Sequence, residues 1–442
     1  MTKTEIENTD LKLKLVSDFQ KFEKSLNGKA NSILNKIKID AFDCFNRLGF
    51  PVKKLEEWKY TNINPVLKHD FKQSTQLAKH TLTKDFVGKY FLKDAVNLVF
   101  INGFFDESLS DKITDNDSCY SGSLAEATTK FGDFVEQHFS KYADFKSNSM
   151  TALNTAFSKD GAFIYLKKNS VNNIPVHILY ISDAVNNVML SQPRNLIVLE
   201  EGSSIKISED YFTVGSNYNF TNAVTEIYCA QNSNLEHYKI QNDGDNSFHI
   251  GTTQVHQERD SKFSDTTVSW GGSIIRNNLN SVFNGTNTEC HFYGLYLLDG
   301  KQHVDNHTLA DHKMPNCFSN ELYKGIIDGS ATGVFNGKIM VHPDAQKTNA
   351  YQSNNNILLS DDATIYSKPQ LEIFADDVKC SHGATSGQLS KEEMFYLRSR
   401  GISENDARIL LLNAFASDVI DSVKIDALRI KLYHTLQLKL KS

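Results

Sequence analysis

The chain has 442 residues, of which 40% are hydrophobic and 23% charged, with a formal net charge of -6. This composition is typical of a soluble protein of two or three domains, and the net charge argues against a nucleic-acid surface spanning the molecule. The N-terminus lacks the apolar core of a signal peptide, and no apolar run reaches the roughly 18 residues that a membrane span needs, so we expect a cytoplasmic protein. The six cysteines form no C-x-x-C pair, which excludes the usual self-contained zinc or iron-sulfur motifs.

Residues 1–160 are predicted to form a mainly helical N-terminal domain. Apolar residues recur every three or four positions from 3 to 48, with a break at Gly28, and this pattern predicts two helices. The segment "NLVFING" predicts a short strand at 97–103, and helical spacing returns over 124–157.

Residues 161–388 are predicted to form a β-helix core. Short runs rich in Val, Ile, Tyr, Phe and Thr alternate there with turn residues. Small polar turns precede an apolar strand start at Ile205, Leu235, Phe263, Cys290 and Phe318, and subtraction gives spacings of 30, 28, 27 and 28 residues. Such near-regular spacing indicates a solenoid, with a long-stranded β-sandwich as the structural alternative. The spacing alone does not decide whether each interval is one coil or more.

Residues 389–442 are predicted to form a helical C-terminal domain. Ser390 and Glu393 fit a capping box, Gly401 fits a helix end, and Ser403 fits the start of the next helix. Helices at both termini would cover the unpaired strand edges that a β-helix leaves at its ends. Their apolar faces could instead dock a partner.

The segment "KQHVDNHTLADH" carries a first set of candidate ligands. On a strand, His303, Asp305 and His307 alternate onto one face, with His312 further on, and such a row could bind zinc or iron. The spacing is not a specific metal signature, so the favoured interpretation is a hydrogen-bonded polar ladder on the solenoid surface.

The segment "KCSHG" carries a second set. On an extended strand Cys380 and His382 share a face about 6.6 Å apart, and Lys379 with a protonated His382 would favour the reactive thiolate. These two side chains are at most half of a four-ligand iron-sulfur set, so further ligands would have to come from elsewhere, most simply another subunit. On spacing alone, a buried cysteine beside a structural histidine at a strand-to-turn junction is the favoured interpretation.

The segment "EEWKYTNI" (56–63) places one of the two tryptophans among charged residues. We expect it to anchor the helical domain to the β body, with a binding surface as the second interpretation. The chain has no G-x-x-x-x-G-K-[ST] phosphate loop, so any nucleotide-driven work would need a partner.

The run 300–402, which includes "HVDNH" and "KCSHG", closely resembles the SufB/SufD family of iron-sulfur cluster assembly proteins. "EEWKYTNI", "LNTAFSKDGAFIYL" (153–166) and "ILLLNAFASDVI" (409–420) look like the SufD side of that family. The resemblance implies a right-handed parallel β-helix between helical terminal domains. It also implies a non-catalytic scaffold subunit that pairs with SufB, while the ABC-type ATPase SufC binds the helical C-terminal regions.

In that family SufB receives sulfur from a cysteine desulfurase, and the complex builds a nascent cluster. The resemblance makes His382, with Cys380 as the less certain member, a candidate transient iron-sulfur ligand shared with a partner subunit. It does not assign ligation to the "HVDNH" histidines, and an isolated chain could form a homodimer. The rival hypotheses are a purely structural partner of SufB and SufC, and a carbohydrate-active β-helix enzyme, against which the missing signal peptide argues.

Overall fold

The structure is a computed structural model that describes residues 10–25 and 32–441. It is mainly β, with 40% strand and 26% helix, and its centre is a β-solenoid of about eight turns. Helices lie at the N- and C-terminal ends of the described chain. The predicted β-helix between helical ends is therefore confirmed, and the sandwich alternative is wrong.

The helices are numbered in chain order. They are α1 (Asp10–Ser25), α2 (Ile33–Leu48), α3 (Asn64–Leu67), α4 (Lys84–Val87), α5 (Leu124–Lys130), α6 (Gly132–His138), α7 (Ser149–Phe157), α8 (Lys391–Ser399), α9 (Glu404–Ile420) and α10 (Asp426–Lys441). Two helices thus occupy the predicted N-terminal region, whereas the predicted break at Gly28 lies outside the described residues.

The strands are also numbered in chain order. The first eleven are β1 (Lys72–Gln73), β2 (Val96–Ile101), β3 (Phe104–Phe105), β4 (Thr114–Asp115), β5 (Cys119–Ser123), β6 (Ala162–Leu166), β7 (Val176–Ala184), β8 (Met189–Ser191), β9 (Arg194–Leu199), β10 (Ser204–Gly215) and β11 (Asn219–Cys229). The remaining strands are β12 (Asn234–Asn242), β13 (Ser247–Gln257), β14 (Lys262–Ser269), β15 (Ile274–Phe283), β16 (Glu289–Leu298), β17 (His303–His312), β18 (Phe318–Ile327), β19 (Thr332–Val341), β20 (Asn349–Leu358), β21 (Thr364–Ile373) and β22 (Lys379–Gly387).

Successive solenoid strands alternate between two sheets. Sheet one runs in the order β21-β19-β17-β15-β13-β11-β9-β6-β5-β4, and sheet two runs β22-β20-β18-β16-β14-β12-β10-β7-β2-β3. Pairing is parallel from β7 to β22 in sheet two and from β6 to β21 in sheet one. Each predicted interval therefore corresponds to one coil that contributes a strand to each sheet.

The register of sheet two explains the spacing of the sequence. Ile205 pairs with Leu235, Leu235 with Phe263, and Phe263 with Cys290, so these inward side chains stack in one column. Phe318 is the first residue of its strand, as the spacing predicts, but it lies one position outside this column, because Cys290 pairs with Ser319. The ring of Phe318 packs against those of His291 and Tyr351 instead.

The corners before these strands use left-handed backbone conformations. Asn232, Asp260, Asn287 and Asn316 have φ values of 59°, 59°, 62° and 62°. Asn and Asp tolerate this region better than other residues with a side chain. The polar turns that mark the repeat in the sequence are thus the places where each coil bends.

The terminal helices pack on the outside of the solenoid. Phe19 of α1 and Phe42 of α2 stack with ring centroids 3.9 Å apart, in a cluster that reaches Phe248 of sheet one. The buried faces of α9 and α10, such as Leu412 and Leu432, pack on sheet two. Among the described residues, no helix is long and apolar enough to cross a membrane.

The predicted helix caps at the C-terminus are confirmed in position. The side chain of Ser390 accepts a hydrogen bond from the backbone N–H of Glu393 at the start of α8, and Ser403 caps α9 in the same way through Asp406. Gly401 follows α8 with a φ of 87°, a conformation that glycine adopts without strain.

Candidate functional site

Cys380 and His382 lie on β22, the last strand of sheet two. Cys380 pairs with Ala350 and His382 with Gln352 on β20, so both side chains leave the sheet on the side that faces the solenoid interior. Cys380 is partly buried against the interior cluster, whereas His382 is exposed because no further coil of the described chain covers it. The predicted strand and the predicted common face are therefore confirmed.

This end of the solenoid, which we call the open end, is formed by β21 and β22. Within the described ranges, each is the outermost strand of its sheet and has a partner on one side only. The unpaired N–H and C=O groups of such edges are available for pairing with another chain. The apolar residues Ile373 and Phe374 at the end of β21 are 38% and 61% exposed, which makes this edge partly apolar as well.

The environment of Cys380 differs from the sequence expectation. Burial raises the pKa of its thiol above the ordinary value, and a hydrogen bond involving the Ala350 backbone offsets only part of this effect. The expected activation by Lys379 and His382 is thus wrong for this structure. Burial favours the neutral thiol of Cys380, so the reactive thiolate is disfavoured in this environment.

The two candidate ligands do not complete a metal site by themselves. In the part of the chain that the structure describes, no group of three or more His, Cys, Asp and Glu side chains could hold a metal ion. A thiol and an imidazole are both suitable iron ligands, and four ligands are usual for an iron-sulfur cluster. The two candidate ligands at the open end would therefore supply at most half of such a ligand set.

Buried polar residues beneath His382 were missed by sequence reasoning. Glu321 and Gln352 are 1% and 3% exposed, and the Gln352 side-chain Nε2 donates to Glu321 Oε2 at 3.1 Å. Thr308 Oγ1 donates to the same oxygen at 2.6 Å. The available signal was the alternation of amides in "YQSNNN" (351–356), which places Gln352 on the inward face, but only the strand register brings Glu321 and His382 into its column.

The pKa of Glu321 leads to a pH-dependent prediction for Glu321→Gln. Burial raises this pKa from 4.5 to about 7, although hydrogen bonds from Thr308 and Gln352 partly offset the rise. The folded state holds the proton more tightly than the unfolded state, so the stability present below pH 4.5 is lost as the pH rises through about 7. As the pH rises from 4.5 to about 7, the free energy of unfolding of wild type should fall by roughly 3 kcal/mol relative to that of Glu321→Gln.

Urea unfolding of both proteins at several pH values checks this prediction. The difference in unfolding free energy should be constant in acid, change steadily through the window, and level off at higher pH. A difference that does not change with pH would contradict the assignment of a buried, proton-binding Glu321.

The His303, Asp305 and His307 row lies on the outer face of sheet one and holds the "EEWKYTNI" segment. Thr61 donates to Asp305 Oδ2 at 2.5 Å and lies 2.8 Å from His303 Nε2. His307 Nε2 lies 2.9 Å from Asp305 Oδ1, and its Nδ1 lies 3.2 Å from a Glu57 carboxylate oxygen. These contacts support the polar-ladder interpretation rather than a metal site.

Arg276 on β15 joins the same contact between sheet one and the "EEWKYTNI" segment. It donates to Asp305 Oδ2 at 2.6 Å and to the Glu57 carbonyl at 2.7 Å, and its guanidinium lies 4.0 Å from the ring centroid of buried Trp58. Burial alone would raise the pKa of Asp305, but attraction from His307 and Arg276 holds it well below its ordinary value. The predicted anchoring role of "EEWKYTNI" is therefore confirmed.

His312 does not join that row. It points inward and is fully buried, with its Nε2 2.9 Å from Ser319 Oγ. Burial lowers its pKa to about 3, which keeps it neutral. The even-numbered position puts it on the opposite face of β17 from the three outward residues.

Helix α8 follows β22 after only three residues and exposes aromatic side chains. Phe395 and Tyr396 are 75% and 58% exposed, and α8 has no buried residue. By contrast, α9 and α10 bury their apolar faces on sheet two. The aromatic surface of α8 therefore has the character of a contact site rather than of a core face.

Family models match nearly the whole chain. The SufBD N-terminal region matches residues 9–178, and the SufBD core domain of SUF-system FeS cluster assembly matches residues 180–415. The chain belongs to the SufB/SufD family. Both Cys380 and His382 lie within the residues matched by the core domain of this family.

Individual relatives in the family agree with this membership. An iron-sulfur cluster assembly SufBD family protein of Synechocystis is 34% identical, over 91% of this chain and 90% of the relative. The iron-sulfur cluster assembly protein SufD of Escherichia coli is 29% identical, over 87% of this chain and 88% of its own length. The chain is thus SufD-like within a family of iron-sulfur cluster assembly proteins.

Proposed function

We propose that this chain is the SufD-like, non-catalytic scaffold subunit of a cytoplasmic complex that assembles iron-sulfur clusters. In this proposal it pairs with a SufB-like paralogue through the open end and carries a SufC-like ABC ATPase on its C-terminal helices. A cysteine desulfurase supplies sulfur to the paralogue. The cluster is cargo that forms transiently at the junction.

The observation that carries the proposal is the half ligand set of Cys380 and His382 on an exposed strand edge. Iron-sulfur clusters need more ligands than this chain brings together there. A partner strand that pairs with β21 or β22 would bring its own side chains to the same edge. His382 is the stronger member, because it is exposed, while burial raises the pKa of Cys380.

Replacing His382 by Ala in the complete complex tests this function. We expect normal assembly with the SufB-like and SufC-like subunits but a loss of about tenfold or more in cluster formed, measured by anaerobic iron and sulfide analysis. His434→Ala, which removes an exposed histidine from α10, is the matched control and should leave the yield unchanged. A full yield from His382→Ala would favour the rival, a purely structural partner without a ligand.

The ATPase contact leads to a separate prediction for Phe395→Asp on α8. A carboxylate at a position that is 75% exposed should leave the fold intact but remove apolar contact area and introduce a charge to be desolvated. We expect binding of the SufC-like subunit to weaken by at least tenfold in calorimetry. Leu13→Asp, at a 55% exposed position on α1, is the control; equal affinities for the two variants would argue against α8 as the docking site.

A further inference from the structure

Three successive strands of sheet two place Glu321, Gln352 and His382 in one column. Glu321 on β18 pairs with Gln352 on β20, and Gln352 pairs with His382 on β22. Residues that are directly paired in parallel strands leave the sheet on the same side, about 4.8 Å apart. Gln352 therefore lies directly beneath the candidate ligand at the open end.

The Gln352 side chain is held by contacts with residues on two neighbouring strands, β18 and β19. Its Nε2 donates to Glu321 Oε2 at 3.1 Å, and across the interior it faces Gly337 on β19. A Cβ at Gly337 would come within 2.3 Å of Gln352 Nε2, so this glycine makes the room that the amide occupies. Gln352 Oε1, in contrast, is buried and has no hydrogen-bond partner among the described residues.

This arrangement orients the amide. Glu321 Oε2 accepts hydrogen bonds from both Thr308 Oγ1 and Gln352 Nε2, so this oxygen faces the NH₂ group of Gln352 and not its carbonyl. The carbonyl oxygen is thereby left on the other branch of the amide, where the remaining column neighbour is His382. A buried carbonyl without a donor carries a free-energy cost that a hydrogen bond would remove.

We propose that Gln352 is a positioning residue that accepts a hydrogen bond from a ring N–H of His382. Rotation about the side-chain bonds of the exposed imidazole brings the ring over Gln352 Oε1. The hydrogen bond fixes the tautomer, so the other ring nitrogen keeps its lone pair free for iron. Histidine ligands generally donate their second ring N–H in this way, and loss of that partner typically costs about 10- to 100-fold in metal affinity or activity.

Glu321 acts one step further from the site. It holds the Gln352 amide in the orientation that presents the carbonyl, and Thr308 in turn donates to the same Glu321 oxygen at 2.6 Å. The inference deepens the proposed function, on which its relevance to iron rests. The hydrogen bond between Gln352 and His382 does not depend on a cluster being present.

The tautomer of His382 in the full-length chain tests the inference without any metal. Histidine-selective ¹⁵N labelling and long-range ¹H–¹⁵N spectra report which ring nitrogen carries the proton, and the His382→Ala variant assigns the signal. Wild type should show one dominant tautomer with populations different from those of free histidine. Gln352→Met, which keeps the length of the side chain but removes the carbonyl, should show the populations of free histidine.

Two further variants sharpen the test. Thr308→Val leaves the contact between Glu321 and Gln352 in place and should match wild type. In Glu321→Gln the Gln352 amide can present either its NH₂ group or its carbonyl to His382, so the tautomer populations of His382 should lie between those of wild type and free histidine. This variant decides the question if Gln352→Met does not fold. Wild-type populations in Gln352→Met, or in Glu321→Gln where that variant decides, would overturn the proposal.

Cluster assembly supplies the second readout. In the complete complex, Gln352→Met should form about 10-fold less cluster or lower, within the range for lost histidine partners. If His382→Ala retains full cluster yield, the proposed ligand role fails, whereas the tautomer comparison still decides whether Gln352 positions His382. The two failures are therefore distinguishable.

Discussion

Glu226→Ala is expected to destabilise the protein by about 3–5 kcal/mol, because it leaves the buried charge of Arg194 without its partner. Both side chains are fully buried, with Arg194 Nη2 2.7 Å from Glu226 Oε2. Glu226 also accepts hydrogen bonds from the backbone N–H groups of Ser140, Tyr142 and Ala143 at 2.7, 2.8 and 2.9 Å. One carboxylate thus ties the loop after α6 to the solenoid.

Denaturant midpoints followed by circular dichroism measure this loss. Glu201→Ala is the control, because its ion pair with Lys168 is exposed and should contribute less than about 1 kcal/mol. The double change Arg194→Met with Glu226→Leu should recover the part due to the unpaired charge, but not the part due to the three N–H groups. A loss in Glu226→Ala as small as that in Glu201→Ala would show that the buried ion pair does not hold the loop.

Arg276→Ala should release the "EEWKYTNI" segment from sheet one. The guanidinium is the common partner of Asp305, the Glu57 carbonyl and the Trp58 ring, and its removal leaves the buried Asp305 carboxylate without its arginine. Breaking such a pair typically costs about 3–5 kcal/mol. We expect part of this loss to appear as local opening of the segment around Glu57 and Trp58, because the neighbouring 2.5 Å pair between Glu56 and Lys368 is partly exposed, whereas Thr61 keeps its buried contact with Asp305.

Trp58 reports this opening directly. In a Trp270→Phe background it is the remaining tryptophan, and its emission should shift to the red as the ring becomes solvated. Lys368→Ala removes only the exposed pair with Glu56 and should leave the emission unchanged. Unchanged emission in Arg276→Ala would show that residues other than Arg276 hold the segment on sheet one.

The solenoid was predictable because each coil repeats the same local chemistry. Polar turns at positions such as Asn232 and Asp260 precede inward apolar residues, and both signals recur at one coil length. Phe318 begins its strand where the spacing predicts but lies outside the inward column, because the register of the sheet decides which of two neighbouring residues points inward. Ser319 takes the inward position because it hydrogen-bonds buried His312.

The candidate site was predictable only in part. Alternation along one strand was enough to place Cys380 and His382 on a common face. The burial that raises the pKa of Cys380 comes from other coils. Glu321 and Gln352 lie 61 and 30 positions before His382 in the sequence, and adjacent strand pairings with one hydrogen bond bring them into its column. Such long-range relations are set by the register of the sheet, which one strand of sequence does not contain.

The two ends of the solenoid differ in a way that limits how many chains can join. At the N-terminal end the sheets finish in the two-residue antiparallel strands β3 and β4. These short strands leave few unpaired N–H and C=O groups for pairing with another chain. At the other end, β21 and β22 offer ten and nine residues of strand. In the described part of the chain, only the open end has long unpaired strands, so edge pairing in the proposed complex would join two chains there without extending to a fibre. Under the proposed function, such pairing would bury both strand edges at once and place the candidate ligands at the centre of a two-chain body.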